Sequence, residues 1–102
     1  MTELFFYQFT EWQDETFPAS TAFSKACHLR QEVEELIDDL EKGNENRRLE
    51  YADCFLLLYG AAAKDGMSFQ DIQDVLHEKM EINYKRKWGK PDENGVVNHI
   101  KD

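Results

Sequence analysis

Apolar residues recur along this chain at helical rather than strand spacing, in four runs separated by breaking residues. Phe5, Phe9 and Trp12, with Phe6 adjoining, mark one face of a short first helix from about Leu4 to Gln13, although Phe5-Phe6-Tyr7 alone also reads as a strand. Thr16-Phe17-Pro18 breaks the chain, and Ser20 or Thr21 can cap the next helix. This long second helix, to about Lys42, carries Leu29, Val33, Leu36, Ile37 and Leu40 as one stripe and stops at Gly43-Asn44. The third, from about Asn46 to Lys64, is apolar on nearly every side beyond Tyr51, the pattern of a buried helix. The fourth begins at Ser68, whose Ser-x-x-Asp spacing to Asp71 resembles a capping box. It offers Phe69, Ile72, Val75, Leu76 and Met80 to a core and ends before Gly89, and the tail from Pro91 reads as irregular. Connections this short imply antiparallel neighbours, so the expectation is one all-α domain over residues 1–102, an antiparallel bundle of about four helices.

Charge narrows the possible partners. The 102 residues hold 12 Lys and Arg against 21 Asp and Glu, a formal net charge of −9. Such a field opposes binding of nucleic acid through its phosphates, and equally an anionic membrane surface. No apolar run approaches the ~20 residues of a membrane span, and the N-terminus lacks the pattern of a secretory signal. Cys27 and Cys54 are isolated, without metal-ligand spacing, which fits reduced packing thiols in a cytoplasmic protein. A domain of this size buries only about 60–65% of its unfolded surface. That thin margin, with the apolar third helix, predicts completion of the core by oligomerisation.

The position of the acid changes the picture. Glu32 and Glu35 share one side of the second helix, bordering its apolar stripe, and Asp39 continues that border, whereas Glu34 and Asp38 point outward. On the third helix Glu50 and Asp53 share a face that Leu57 continues. Burying Asp53 unpaired would cost several kcal/mol, roughly, so a Lys, an Arg or a divalent cation must compensate it. Two i,i+3 pairs on consecutive antiparallel helices can converge on one point, and four oxygen donors without histidine suit Mg²⁺ or Mn²⁺. The plainer alternative is a pair of helices whose acids face water. On the fourth helix Lys79, Asn83 and Arg86 or Lys87 recur near the apolar side, a line able to hold phosphate oxygens. A basic helix end favoured by the macrodipole is the alternative there, and it suffices for Lys85.

With these residues in place, the sequence resembles the MazG-like all-α nucleoside triphosphate pyrophosphohydrolases. Their E-E-x-x-E and E-x-x-D signature stands here as Gln31-Glu32-Val33-Glu34-Glu35 and Glu50-Tyr51-Ala52-Asp53. Within that group it is similar to the dATP/dGTP diphosphohydrolase branch. That similarity lies in Trp12-Gln13 with Thr16-Phe17, in His28-Leu29-Arg30, in Lys79-Met80-Glu81-Ile82-Asn83 and in Lys87-Trp88-Gly89-Lys90-Pro91-Asp92. It spans about Trp12 to His99. The resemblance implies Mg²⁺ on Glu32, Glu35, Glu50 and Asp53, and triphosphate contacts from Lys79, Asn83 and Arg86 or Lys87. The sequence departs from the pattern at Gln31, which leaves that amide a water-mediated contact at most.

The implied reaction is attack of water on the α-phosphorus of a nucleoside triphosphate, giving a monophosphate and pyrophosphate, with purine deoxynucleotides as substrates. Glu35, with Glu32, is the candidate for orienting or deprotonating the water. Trp12 and Phe17 can stack on a base and Trp88 can close the pocket, or each can serve a core or an interface. His28 can contact phosphate or act structurally, while His77 and His99 read as surface residues. A di-iron carboxylate bundle would need Glu-x-x-His pairs that the chain lacks. The rival from another class is a non-catalytic acidic helical interaction module.

Overall fold

The computed structural model describes residues 1–45 and 47–101 and contains four helices. They are α1 (Glu3–Thr16), α2 (Ala22–Lys42), α3 (Arg47–Lys64) and α4 (Phe69–Lys85). The chain divides into two compact units, Met1–Gln70 and Asp71–Asp102.

Local chemistry sets the helix ends in the first unit. Thr2 caps α1, its hydroxyl accepting from the Phe5 amide at 3.1 Å. Thr21 rather than Ser20 caps α2, in a reciprocal box: Thr21 Oγ1 accepts from the Ser24 amide at 3.0 Å, and Ser24 Oγ accepts from the Thr21 amide at 2.9 Å. Gly43 closes α2 in the left-handed region at φ 70°, which a residue without Cβ adopts at no steric cost.

α2 packs mainly on α3, and α1 lies against α3 as well. Phe6 is the centre of the core, 1% exposed, with Phe9, Tyr59 and Phe69 rings at centroid distances of 6.1, 6.4 and 5.6 Å. The buried side of α1 is thus Phe6 and Gln13, and not the expected Phe5–Phe9–Trp12 face, of which Phe5 and Trp12 are exposed. Gln13 is buried because α1 meets α3 at Gly60: its Nε2 donates to the Gly60 carbonyl at 3.3 Å, and a Cβ at Gly60 would collide with its carboxamide. An ion pair of 2.7 Å between Lys64 and Asp14 ties the same two helices.

The uniformly apolar α3 is not enclosed within one chain. Gly60 and Ala61 are buried, but Leu49, Phe55 and Leu58 are 76%, 61% and 58% exposed. Val33, Ile37 and Leu40 on α2 and Val75, Leu76 and Met80 on α4 are exposed too, so the expected stripes are only partly covered. Helical spacing gathers these residues on shared faces, but the chain alone leaves them largely uncovered, as the small size of the domain allows.

In the second unit α4 stops at Lys85, and the described residues after it, the expected irregular tail included, form no further helix or strand but are joined by one bridge and local bonds. Trp88 and His99 form an isolated antiparallel bridge, flanked by Gly89 N–H to Asn98 O at 2.9 Å and Ile100 N–H to Lys87 O at 2.7 Å. Asp92 turns the chain, its Oδ1 accepting from the Asn94 and Val96 amides at 2.8 and 2.9 Å. Among the described residues, no helix is long and apolar enough to cross a membrane.

Candidate active site

A cleft of about 560 Å³ opens in the first unit among α1, α2 and α3. It brings together four residues singled out from sequence on α2, α3 and the α1–α2 connection: His28, Glu32, Asp53 and Phe17. Trp12 of α1 joins them, its ring edge-on to Phe17 at 5.6 Å and 88°. His28 Nε2 stands 3.3 Å from Glu32 Oε1, one turn along α2.

Two further lining residues were not singled out as site residues. One is Gln13, although it stands in the Trp12-Gln13 motif. The other is Lys25, 7% exposed, whose Nζ lies 5.5 Å from the centre of the Phe17 ring. Burial, then the Lys64 charge, hold the Lys25 ammonium below its usual titration range, against a smaller opposing effect of Asp14. The only sequence signal for Lys25 is its register, on the α2 face of His28 and Glu32.

Beside the cleft, α2 and α3 run antiparallel, because Asp39 near the end of α2 meets Glu50 near the start of α3 while Glu32 lies level with Asp53 and Cys54. This brings Glu32, Glu35, Asp39 and Glu50 into one electrostatic group. Glu35 is raised above the ordinary carboxylate value, first by the Glu32 charge and then by desolvation and a shared hydrogen bond with Glu32. Glu50 is pushed up to about 7, first by its hydrogen bond with Asp39 and then by desolvation. Asp39 is lowered, by the same bond and by Asn44, whose Nδ2 donates to it at 2.7 Å. Two carboxyl groups can hydrogen-bond only while one of them holds a proton. Once the pair is fully ionised, Glu50 Oε2 is buried with no hydrogen-bond partner.

The acid with a buried oxygen is therefore Glu50, itself half-buried. Asp53, expected to need compensation for burial, is exposed in the chain. Asp39, noted only as continuing the border of Glu32, belongs to the group. No three His, Cys, Asp or Glu side chains among the described residues are drawn together as an ion would hold them. Like charges without a counter-ion spread apart, and the raised Glu35 and Glu50 show the same repulsion. An orphaned buried carboxylate oxygen among all-oxygen donors fits a hard divalent cation.

The predicted phosphate-contacting residues lie in the second unit. Lys79 and Asn83 are on α4, where Asn83 O accepts from Trp88 Nε1 at 3.2 Å. Arg86 and Lys87 fall beyond the helix end at Lys85, so they do not continue its face as expected. With Lys85, His99 and Lys101 they surround a basic cleft of about 500 Å³. Trp88 packs edge-on against His99 at 6.3 Å, so His99 is a half-buried partner rather than a free surface group.

Residues 5–102 match the family described as dATP/dGTP pyrophosphohydrolase. The chain belongs to that family. It is a hydrolase of nucleotide phosphoanhydrides by membership, as the carboxylate signature implied. Among solved structures it is similar to a cyanophage S-2L MazG-like pyrophosphohydrolase bound to dGDP and three catalytic Mn²⁺ ions per active site. That likeness has 24% identity over 99% of each chain and a TM-score of 0.79, so this pyrophosphohydrolase has the MazG-like fold. No curated protein matches it.

Proposed function

We propose that this pyrophosphohydrolase cleaves purine deoxynucleoside triphosphates between the α- and β-phosphates, releasing a deoxynucleoside monophosphate and pyrophosphate, with Mg²⁺ as its ion and Mn²⁺ as a substitute. The observation that carries the reading is the orphaned Glu50 Oε2 within a group of mutually repelling carboxylates, beside a cleft whose far end is aromatic. Glu32, Glu35, Glu50 and Asp53 would hold the ions, with Asp39 bonded to Glu50 behind them. Bound there, a divalent cation supplies charge neutralisation and an acidified water.

The chain's own groups do the rest. Glu35, raised by Glu32, is suited to accept a proton from the attacking water. His28, against Glu32, fixes that carboxylate from behind when it is protonated. Trp12 and Phe17 offer ring faces to the base. Lys79, Asn83, Arg86 and Lys87 are donors suited to phosphate oxygens and to the charge that grows on the leaving pyrophosphate. Trp88, bonded to Asn83 and packed on His99, holds the segment that carries Lys87. The exposed apolar residues of α3 support assembly as a homodimer or homotetramer.

The test is product analysis with a panel of deoxynucleoside triphosphates, with and without Mg²⁺. Pyrophosphate and monophosphate in equal amounts, only with the ion present, are expected. Release of orthophosphate, or no turnover at all, sinks the reading.

A further inference from the structure

At the aromatic end of the cleft most polar groups are already engaged. Ser24 Oγ is held in the α2 capping box, and Gln13 Nε2 is held on the Gly60 carbonyl. Lys25 is different: its stem is buried, its Nζ lies over the Phe17 ring, and among the described residues no side chain accepts a hydrogen bond from it. The opposite charge that acts on it, Asp14, is already paired to Lys64 at 2.7 Å.

Register places this donor. Lys25, His28 and Glu32 line the same cleft from one face of α2, and the helical rise sets Lys25 about 10 Å along the axis from Glu32. That is the reach of a sugar and base from a phosphate held at the carboxylates. A lysine acting on phosphate would stand beside the acids; this one stands beside two aromatic rings.

We propose that Lys25 reads the edge of the purine and makes guanine the preferred base. This rests on the proposed function, in which the cleft takes a purine deoxynucleotide. An ammonium has three donors and no acceptor. Guanine presents two adjacent acceptors, N7 and O6, on one edge, whereas adenine presents N7 beside a donor amino group. Lys25 therefore satisfies both positions of guanine and opposes one of adenine. The poorly solvated ammonium also gains more from an acceptor than a surface lysine would.

Two variants of the full chain separate the possibilities. Lys25→Met keeps the stem and removes the donors; Lys25→Gln supplies the donor-and-acceptor pair that matches adenine. In turnover with Mg²⁺, wild type favours dGTP over dATP in kcat/KM. Lys25→Met lowers that ratio about tenfold or more, and Lys25→Gln shifts it further toward dATP. Turnover of both purines with the ratio unchanged in both variants overturns the role of Lys25 and leaves the proposed reaction standing. If wild type turns over no nucleotide, the proposed reaction falls, and calorimetric binding of dGMP and dAMP decides for Lys25. Tighter dGMP binding that Lys25→Met abolishes supports it, and equal or absent binding overturns it. Circular dichroism on each variant identifies loss of fold, and should Lys25→Met fail to fold, Lys25→Gln carries the same comparison.

Discussion

At the aromatic end of the cleft the polypeptide satisfies its own polar groups apart from Lys25: Thr21 and Ser24 cap each other, Gln13 bonds Gly60, and Lys64 pairs with Asp14. At the carboxylate end it does the reverse. Acids from α2 and α3 crowd together, raising Glu35 and Glu50 and lowering Asp39, and one buried oxygen of Glu50 has no partner. The first arrangement is a shape completed in advance, and the second is a charge imbalance that something from outside must neutralise. Stability and activity are therefore expected to respond in opposite directions at the two ends.

The largest effect should come from Glu50→Gln. It should lower pyrophosphate release by about a hundredfold or more. It should also raise the Tm of the metal-free protein, because an amide can donate to Asp39 without repelling it. A fall in both activity and Tm would break the contrast. Asp53→Asn, at an exposed position, should lose activity on the same scale with little change in Tm.

Gly60→Ala probes the opposite end, where a Cβ has no room beside Gln13. It should cost about 1–3 kcal/mol of stability by overpacking, read as a lower Tm. Gln13→Ala in the same chain should restore part of that loss, since it removes the colliding carboxamide. Thr21→Ala should cost about 1 kcal/mol through the lost cap, with Mg²⁺ affinity unchanged.

The gentlest test is pH, because solvent screens the carboxylates. A carboxyl raised in the folded state binds a proton that the unfolded chain would release. Its contribution to stability is complete below its ordinary value of 4.5 and is lost as pH rises through about 7. Asp39, lowered, works in the opposite direction: its contribution is complete above its ordinary value of 3.8 and is lost only as pH falls below that. The Tm of metal-free protein should therefore decline across that Glu50 window, and Mg²⁺ or Glu50→Gln should flatten the decline. A metal-free Tm that rises through the window would contradict the description of this end.

Much of this was visible in the sequence because it is local. Thr21, Gly43 and the i,i+3 carboxylate pairs depend on neighbours within a few residues, and all lie on the helices expected. Three features were not visible, for separate reasons. A helix apolar on every side does not say which way it is turned, so the sequence could not show that Glu50, rather than Asp53, has the buried oxygen. Lys25 is buried in a cleft that Phe17 of the α1–α2 connection helps to line, a tertiary contact that its sequence neighbours do not announce. Trp88 and His99 pair across a turn whose return depends on Asp92 side-chain bonds, and no hydrophobic period announces such a turn.

Only residues 43–46 separate α2 from α3, so the acids of the carboxylate group are close in sequence as well as in space. Contacts this local form early in folding, before those that close long loops. The repulsion between Asp39 and Glu50 then burdens the rate at which the helical hairpin first closes, more than the rate at which it later opens. A divalent cation bound by these acids is therefore expected to speed refolding more than it slows unfolding, as stopped-flow measurements with and without Mg²⁺ would show.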